Sequence, residues 1–296
     1  MNRFGVPVAF LVVMVIWSTT PLAIQWSSGD APLTSALLRM LLGCTFCGLI
    51  LFATKSRLSF NRENLKIFLV GGLSIFGAMS LIYLAAQSMP SGWIAVLYGL
   101  SPLFTGVFAA FVEPESQLDF FRVLGILLGI FGLYFVFQAS LSIDQNTFVG
   151  VVLVVAAVIV SSSSAVVIRQ FGNKTELSGM QITTGGLLIA IPMFIASAFL
   201  FEPVSTVGYS NKEMWSIAYL GLIGTGIGFS LYFYLLRHIS ASKVSLVTLV
   251  TPITALLIGN WFNDEEIVRN VWIGGACVCT GLLMYQYKPR LGWRKL

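Results

Sequence analysis

Hydroxyl and aromatic residues recur at helical spacing inside stretches that are otherwise apolar. Tyr98, Ser101 and Thr105 stand three and four residues apart beside Pro102, and Ser245, Thr248 and Thr251 stand three apart beside Pro252. Such spacing places each set on one helix face. Phe76, Met79, Tyr83 and Gln87 share another face, with Ser80 next to it. Phe229, Ser230, Phe233 and Tyr234 cluster on another, and Met14, Trp17, Ser18, Pro21 and Gln25 on one more. Together these groups can hydrogen-bond and stack on a small organic solute. Each stripe also has a purely structural reading. Hydroxyls in membrane helices bond their own backbone or join helices, and aromatics fill interface positions.

Arg39 is the one cation inside an apolar stretch. It lies about six residues from the stretch's start, or roughly 9 Å of rise. It either snorkels and ties helix carbonyls, or faces a cavity and attracts a substrate carboxylate. All 12 Asp and Glu residues fall in loops or at the edges of stretches. A buried carboxylate is the usual proton relay of a pump, so its absence argues for gradient-driven movement without one. No residue set nominates itself as catalytic. There is no phosphate-binding loop for an ATP motor, no zinc-protease helix and no nucleophile elbow. His238, the lone histidine, falls at a helix end. Cys44, Cys47, Cys277 and Cys279 lie inside apolar stretches and read as small packing residues. No cofactor, metal or ATPase partner is implied.

The elements that must position these groups are membrane spans. Hydrophobic residues make up 57% of the 296, and charged residues only 10%. About 20 apolar residues cross a bilayer's hydrocarbon. That criterion predicts ten spans, near 5–26, 33–54, 65–87, 92–112, 120–138, 148–169, 179–201, 214–236, 243–262 and 270–287. The second five repeat the first at an offset of 150 residues. Gly71 falls on Gly221, Ser80 on Ser230, Pro102 on Pro252, Glu115 on Glu265 and Gly125 on Gly275. Because five is odd, the second copy must enter the bilayer from the opposite side. The expected fold is therefore all-α and integral to the membrane: ten transmembrane helices in two inverted five-helix repeats, 1–140 and 141–296, joined by a linker at 139–147. Inverted repeats place a substrate site where the halves meet. Pro102 and Pro252 are then a symmetric pair of kinks near mid-span. Gly125 with Gly129, and Gly224 with Gly228, have the spacing of close helix contacts and supply hinge or packing surfaces.

Fourteen of the 17 Lys and Arg residues fall on one side of this topology, and only Lys212 and Arg269 on the other. The positive-inside rule then puts both termini in the cytoplasm. Charges scattered over short loops argue against nucleic acid as a partner. The partners expected are the lipid bilayer and a small-molecule amino acid or metabolite.

Trp17-Ser-Thr-Thr-Pro21, Ser101-Pro102, Thr251-Pro252 and the acidic ends Glu113-Pro-Glu115 and Asp264-Glu-Glu266, in this order and symmetry, carry a resemblance. The chain resembles the EamA-type members of the drug/metabolite transporter superfamily, and within them the YddG-type exporters of aromatic amino acids. The resemblance implies a central cavity, cytoplasmic termini and export across the bacterial inner membrane by alternating access. By motif match it implies Trp17, Ser18, Pro21, Ser101, Pro102, Thr251 and Pro252 at that cavity. The residue stripes add Arg39, Met79, Tyr83, Tyr98, Ser230, Tyr234 and Thr248 as substrate-binding candidates. Two other readings stay open. One is an antiporter of nucleotide-sugars or phosphorylated metabolites, which would need more cavity cations. The other is a membrane enzyme or partner protein that transports nothing.

Overall fold

The computed structural model describes residues 5–112, 120–172, 175–202, 208–244, 247–248 and 250–286, the side chains of 141–143 and 242 excepted. Ser245, Glu113 and Glu115, the terminal Arg3, and the basic tail from Lys288 lie outside them. The first three helices are single spans: α1 (Gly5–Ser27), α2 (Pro32–Ala53) and α3 (Arg62–Ala85). The fourth span is split into α4 (Ser91–Tyr98) and α5 (Ser101–Val112), and the fifth is α6 (Phe120–Ile143). The sixth and seventh are α7 (Gln145–Gly172) and α8 (Gly179–Phe201). The eighth is continuous but mixed: α9 (Asn211–Tyr219), a π-helical segment (Leu220–Phe229) and α10 (Ser230–His238). The ninth comprises the short α11 (Ala241–Val244) and α12 (Thr251–Asn263), and the last helix is α13 (Arg269–Gln286). Among the described residues, eight helices are long and apolar enough to cross a membrane.

Local chemistry sets the helix ends. Asn61 accepts the Asn64 N–H, and Ser178 with Gln181 and Ser210 with Glu213 form reciprocal capping boxes. The first N–H groups of α2 are capped from another helix: the Glu202 carboxylate accepts from Leu33 N at 2.5 Å and from Thr34 N at 2.8 Å. The expected linker at 139–147 does not exist as a loop. α6 runs to Ile143, α7 starts at Gln145, and the boundary placed at 140 falls inside the last turn of α6. Asp144 between them accepts the Thr147 N–H at 2.6 Å, which holds its carboxyl below the usual range.

The proline pair also differs from expectation. Neither Pro102 nor Pro252 kinks a running helix; each is the second residue of a new one, α5 and α12. Proline has no N–H for the carbonyl four residues back, and its fixed φ suits a first turn. Across Gly99 and Leu100 the bonding tightens: Leu100 N–H bonds Leu97 and Leu103 N–H bonds Leu100, each at 3.0 Å. The helix-internal prolines are Pro21 and Pro192 instead.

The main contacts keep their form when first-half and second-half helices are exchanged. The second span packs on the seventh, the fourth on the ninth and the fifth on the last. α3 packs on α8 as α2 packs on the π segment, and α3 on α7 as α1 on the eighth span. Glycines permit the closest crossings, since any Cβ would strike backbone. At Gly281 it would lie 2.6 Å from the Gly125 carbonyl oxygen, and at Gly132 2.7 Å from that of Gly274. Gly72 against Gly186, and Gly43 against Gly221, make the corresponding crossings of α3 with α8 and α2 with the π segment. Outward, Leu11, Val15, Phe52, Phe111, Phe199 and Trp261 are exposed, a surface suited to hydrocarbon and its interface.

Candidate substrate cavity

A cavity opens at the centre of the bundle, walled by α1, α2, α3, the split fourth span, α7, α10 and the ninth span. Its aromatic wall joins α1 to α10: Trp17 meets Tyr232 at 5.2 Å between ring centroids, and Tyr232 meets Phe233 at 5.4 Å. Hydroxyls from Thr20, Ser101, Thr105, Ser161, Ser164 and Thr251 line other sides.

Among the described residues Arg39 is the only charged side chain in the wall, and it is 1% exposed. The π segment explains how it is held. Gly221 and Gly43 let that segment approach α2 closely, and Gly224 leaves room beside the guanidinium, 3.5 Å from where its Cβ would be. Thr225 then accepts from Arg39 Nε at 2.9 Å. Tyr83 and Phe229 place their ring centroids 6.0 Å from the guanidinium carbon. One terminal nitrogen, Nη1, is buried and finds no hydrogen-bond partner among the described residues. The Thr105 hydroxyl in the same wall is likewise buried without a partner, and the Tyr98 hydroxyl stands beside that of Ser161. A guanidinium stays charged in protein interiors. The arrangement can therefore receive an acceptor-rich group at one end and an apolar body along the aromatic wall.

Of the candidates read from the sequence, Trp17, Pro21, Arg39, Met79, Tyr98, Ser101, Thr248 and Thr251 line this cavity. Six lie off it. Ser18 donates to the Met14 carbonyl at 2.9 Å and accepts from Thr254 at 2.8 Å, so it joins α1 to α12. Tyr83 is fully buried behind Arg39. Pro102 and Pro252 set helix starts. Ser230 lies 3.4 Å from Thr183, and Tyr234 stacks on His238 at 4.1 Å. Both belong to the face of α10 that packs on α8, where a Cβ at Gly179 would lie 2.6 Å from Tyr234 N. The glycine candidates divide by place: Gly125 and Gly129 sit in the seam of α6 with α13 and α5, Gly224 and Gly228 in the π segment. Sequence reasoning passed over Tyr232 and Thr225, and it matched Ser161–Ser164 to Trp17–Thr20 without naming Ser161 or Ser164 as binding candidates. Ser161 and Ser164 are one turn apart in the segment matching Trp17–Thr20, and that spacing was the available signal.

The end of the bundle poor in Lys and Arg is tied shut by side chains. Trp26 Nε1 donates to Asn263 at 2.8 Å, and Asn263 Nδ2 reaches Gln25 and Glu265, each at 3.1 Å. Glu265 in turn accepts from Gly92 N at the start of α4, at 3.2 Å. This latch links α1, α4 and the end of α12. The cavity lining runs from Ile24 and Ile94 beside this latch to Ile168, Phe233 and Ala241.

The sequence pattern of the EamA-like transporter family matches residues 4–138 and matches again over 148–286. The uncharacterized transporter YoaV of Bacillus subtilis is 29% identical, over 94% of this chain and 96% of its own length. A protein of Escherichia coli described as a probable amino-acid metabolite efflux pump is 25% identical, over 96% of this chain and 95% of its own length. A protein solved by crystallography shares the fold with a TM-score of 0.74 at 20% identity, covering 96% of this chain and 98% of that one.

Proposed function

The chain belongs to the EamA-like transporter family and is a multi-pass membrane transporter, and on that premise we propose that it exports amino acids, aromatic and neutral ones first, across the bacterial inner membrane by alternating access. The observation that carries this reading is the lone buried Arg39 in a cavity otherwise walled by aromatic, hydroxyl and aliphatic groups. The guanidinium suits a carboxylate, and the wall of Trp17, Tyr98 and Tyr232 suits an apolar side chain. Phosphorylated cargo would call for several cations at once. The E. coli relative described as an efflux pump for amino-acid metabolites agrees in kind.

Two supports bear on the architecture. One family pattern matches both halves, and the main helix contacts survive exchange of the halves. Both favour two inverted five-helix repeats about the cavity, with both termini cytoplasmic by the distribution of Lys and Arg. Movement is facilitated, because no Asp or Glu lies in the described cavity wall to carry a coupling proton. Counterflow in proteoliposomes with a panel of labelled amino acids tests the reading. Phenylalanine, tryptophan or a neutral relative exchanges across the membrane, and an imposed pH gradient drives no uptake when substrate is equal on both sides. Silence across the whole panel removes the export reading; pH-driven accumulation removes the facilitated mechanism.

A further inference from the structure

We infer that the cavity is built for a carboxylate without a neighbouring ammonium, so its best cargo is an apolar or aromatic monocarboxylate (a deaminated or N-acylated amino acid) rather than the zwitterion. The inference rests on the transport reading above, keeps its carboxylate and apolar body, and ranks the deaminated or N-acylated anion ahead of the amino acid itself. It starts from a charge inventory. Among the described residues the wall holds one cation, Arg39, and no acid. A guanidinium buried beside aromatic rings, with one nitrogen unpaired, is missing a negative partner. A bound carboxylate supplies that partner and leaves the loaded cavity neutral. A zwitterion supplies the same carboxylate but brings an ammonium that must shed its water with no counter-charge in reach.

The polar atoms left open in the wall point the same way. Arg39 Nη1 and the Thr105 hydroxyl are buried without a partner, and the Tyr98 hydroxyl stands beside Ser161. The hydroxyls can donate or accept, whereas the guanidinium can only donate, so the group it waits for is an acceptor. An ammonium would look to hydroxyl oxygens and backbone carbonyls, all of them neutral, and in the break of the fourth span the carbonyls already carry bonds. The Ala95 and Val96 carbonyls are both taken by Gly99 N, and the Leu97 carbonyl by Leu100 N. Pro102 denies a donor only to the Tyr98 carbonyl, and one neutral carbonyl does not replace an ammonium's hydration. The aromatic faces help a cation only modestly, and Arg39 stands among them as a like charge.

Three compounds on one skeleton separate the possibilities: 3-phenylpropionate, phenylalanine and phenethylamine, carrying a negative, a balanced and a positive charge. Binding to the purified full-length protein is read by equilibrium dialysis, and flux by counterflow in proteoliposomes. The expected result is that 3-phenylpropionate binds at least ~10-fold more tightly than phenylalanine, the scale of one uncompensated polar burial, and that phenethylamine binds weakest. Arg39→Gln lowers 3-phenylpropionate binding by roughly 10- to 100-fold, as for the loss of a charge-assisted bond, and erases the ranking. Arg39→Lys keeps the order of the three. If Arg39→Gln fails to fold, the wild-type ranking decides alone. Phenylalanine binding as tightly as 3-phenylpropionate, or no binding by any of the three, overturns the inference. Phenylalanine counterflow without the anion preference sinks this inference and leaves the transport reading standing; tight 3-phenylpropionate binding without flux does the reverse.

Discussion

A buried guanidinium is costly unless its donors are met, and Arg39 meets one of them through Thr225. Thr225→Val keeps the volume and strands Nε, so thermal stability in detergent should fall by the equivalent of about 1–3 kcal/mol. An unchanged melting temperature would mean that the bond holds nothing. On the aromatic wall, Trp17→Ala and Tyr98→Ala remove ring contact from the cavity. Each should weaken aromatic solutes by roughly 2- to 10-fold relative to aliphatic ones, the range of a ring-on-ring contact. Tyr83→Phe serves as the control, because its hydroxyl is buried, unpartnered and outside the cavity wall. A counterflow panel on the three variants reads the difference. At this scale the sequence showed Arg39 plainly, as one charge in an apolar stretch. It could not say which of Tyr232 and Tyr234 looks inward, because two residues apart on α10 they point to nearly opposite sides and only the packing of α8 beside Tyr234 decides between them.

The helices repeat that pattern of what was legible. Their ends were visible to within a few residues, because apolar runs, capping residues and short polar loops mark them. What the pattern could not show is how a span is broken. Proline announces a missing N–H, and both a kink and a new helix start satisfy it; the local bonds around Gly99 and Leu100 choose the start. The glycine run of the eighth span announced a supple helix, yet its π bonding depends on α2 pressing against Gly221 and on Thr225 reaching Arg39. The seam of α6 with α13 is where packing can be tested most directly. Gly281→Leu would force a side chain into the Gly125 backbone, and should cost about 1–3 kcal/mol or more as overpacking. Its measure is a lower melting temperature with the ranking of solutes unchanged, since the seam lies away from the cavity. A changed ranking at full stability would contradict that separation.

For the whole molecule, the self-match at 150 residues implied a pair of halves, but it could not say which helix touches which. The reciprocal contacts supply that, and they put the cavity between the halves. The latch of Trp26, Gln25, Asn263 and Glu265 ties helices together at the end poor in Lys and Arg, beside Ile24 and Ile94 of the cavity lining, which extends from there to Ala241. Loosening it with Asn263→Ala and Glu265→Gln should favour opening on the latched side. A single cysteine placed at Ile24, in a background without the native four, then reacts several-fold faster with a membrane-impermeant maleimide from that side. Equal labelling with and without the latch changes would show that the cluster is not a gate. A moving anion adds an electrical signature. A potential of about 100 mV weighs on one charge by about 2.3 kcal/mol, so an inside-negative potential should expel 3-phenylpropionate from vesicles and leave phenylalanine exchange unaffected.

The glycine seam also has a consequence for how the protein is made. α6 is synthesised well before α13, and the backbone surface at Gly125 and Gly132 that it offers fits that later helix. Until that helix inserts, the first half carries an unfilled groove facing lipid. A chain truncated before Arg269 would keep that groove open, so α13 is the helix that closes this side of the bundle.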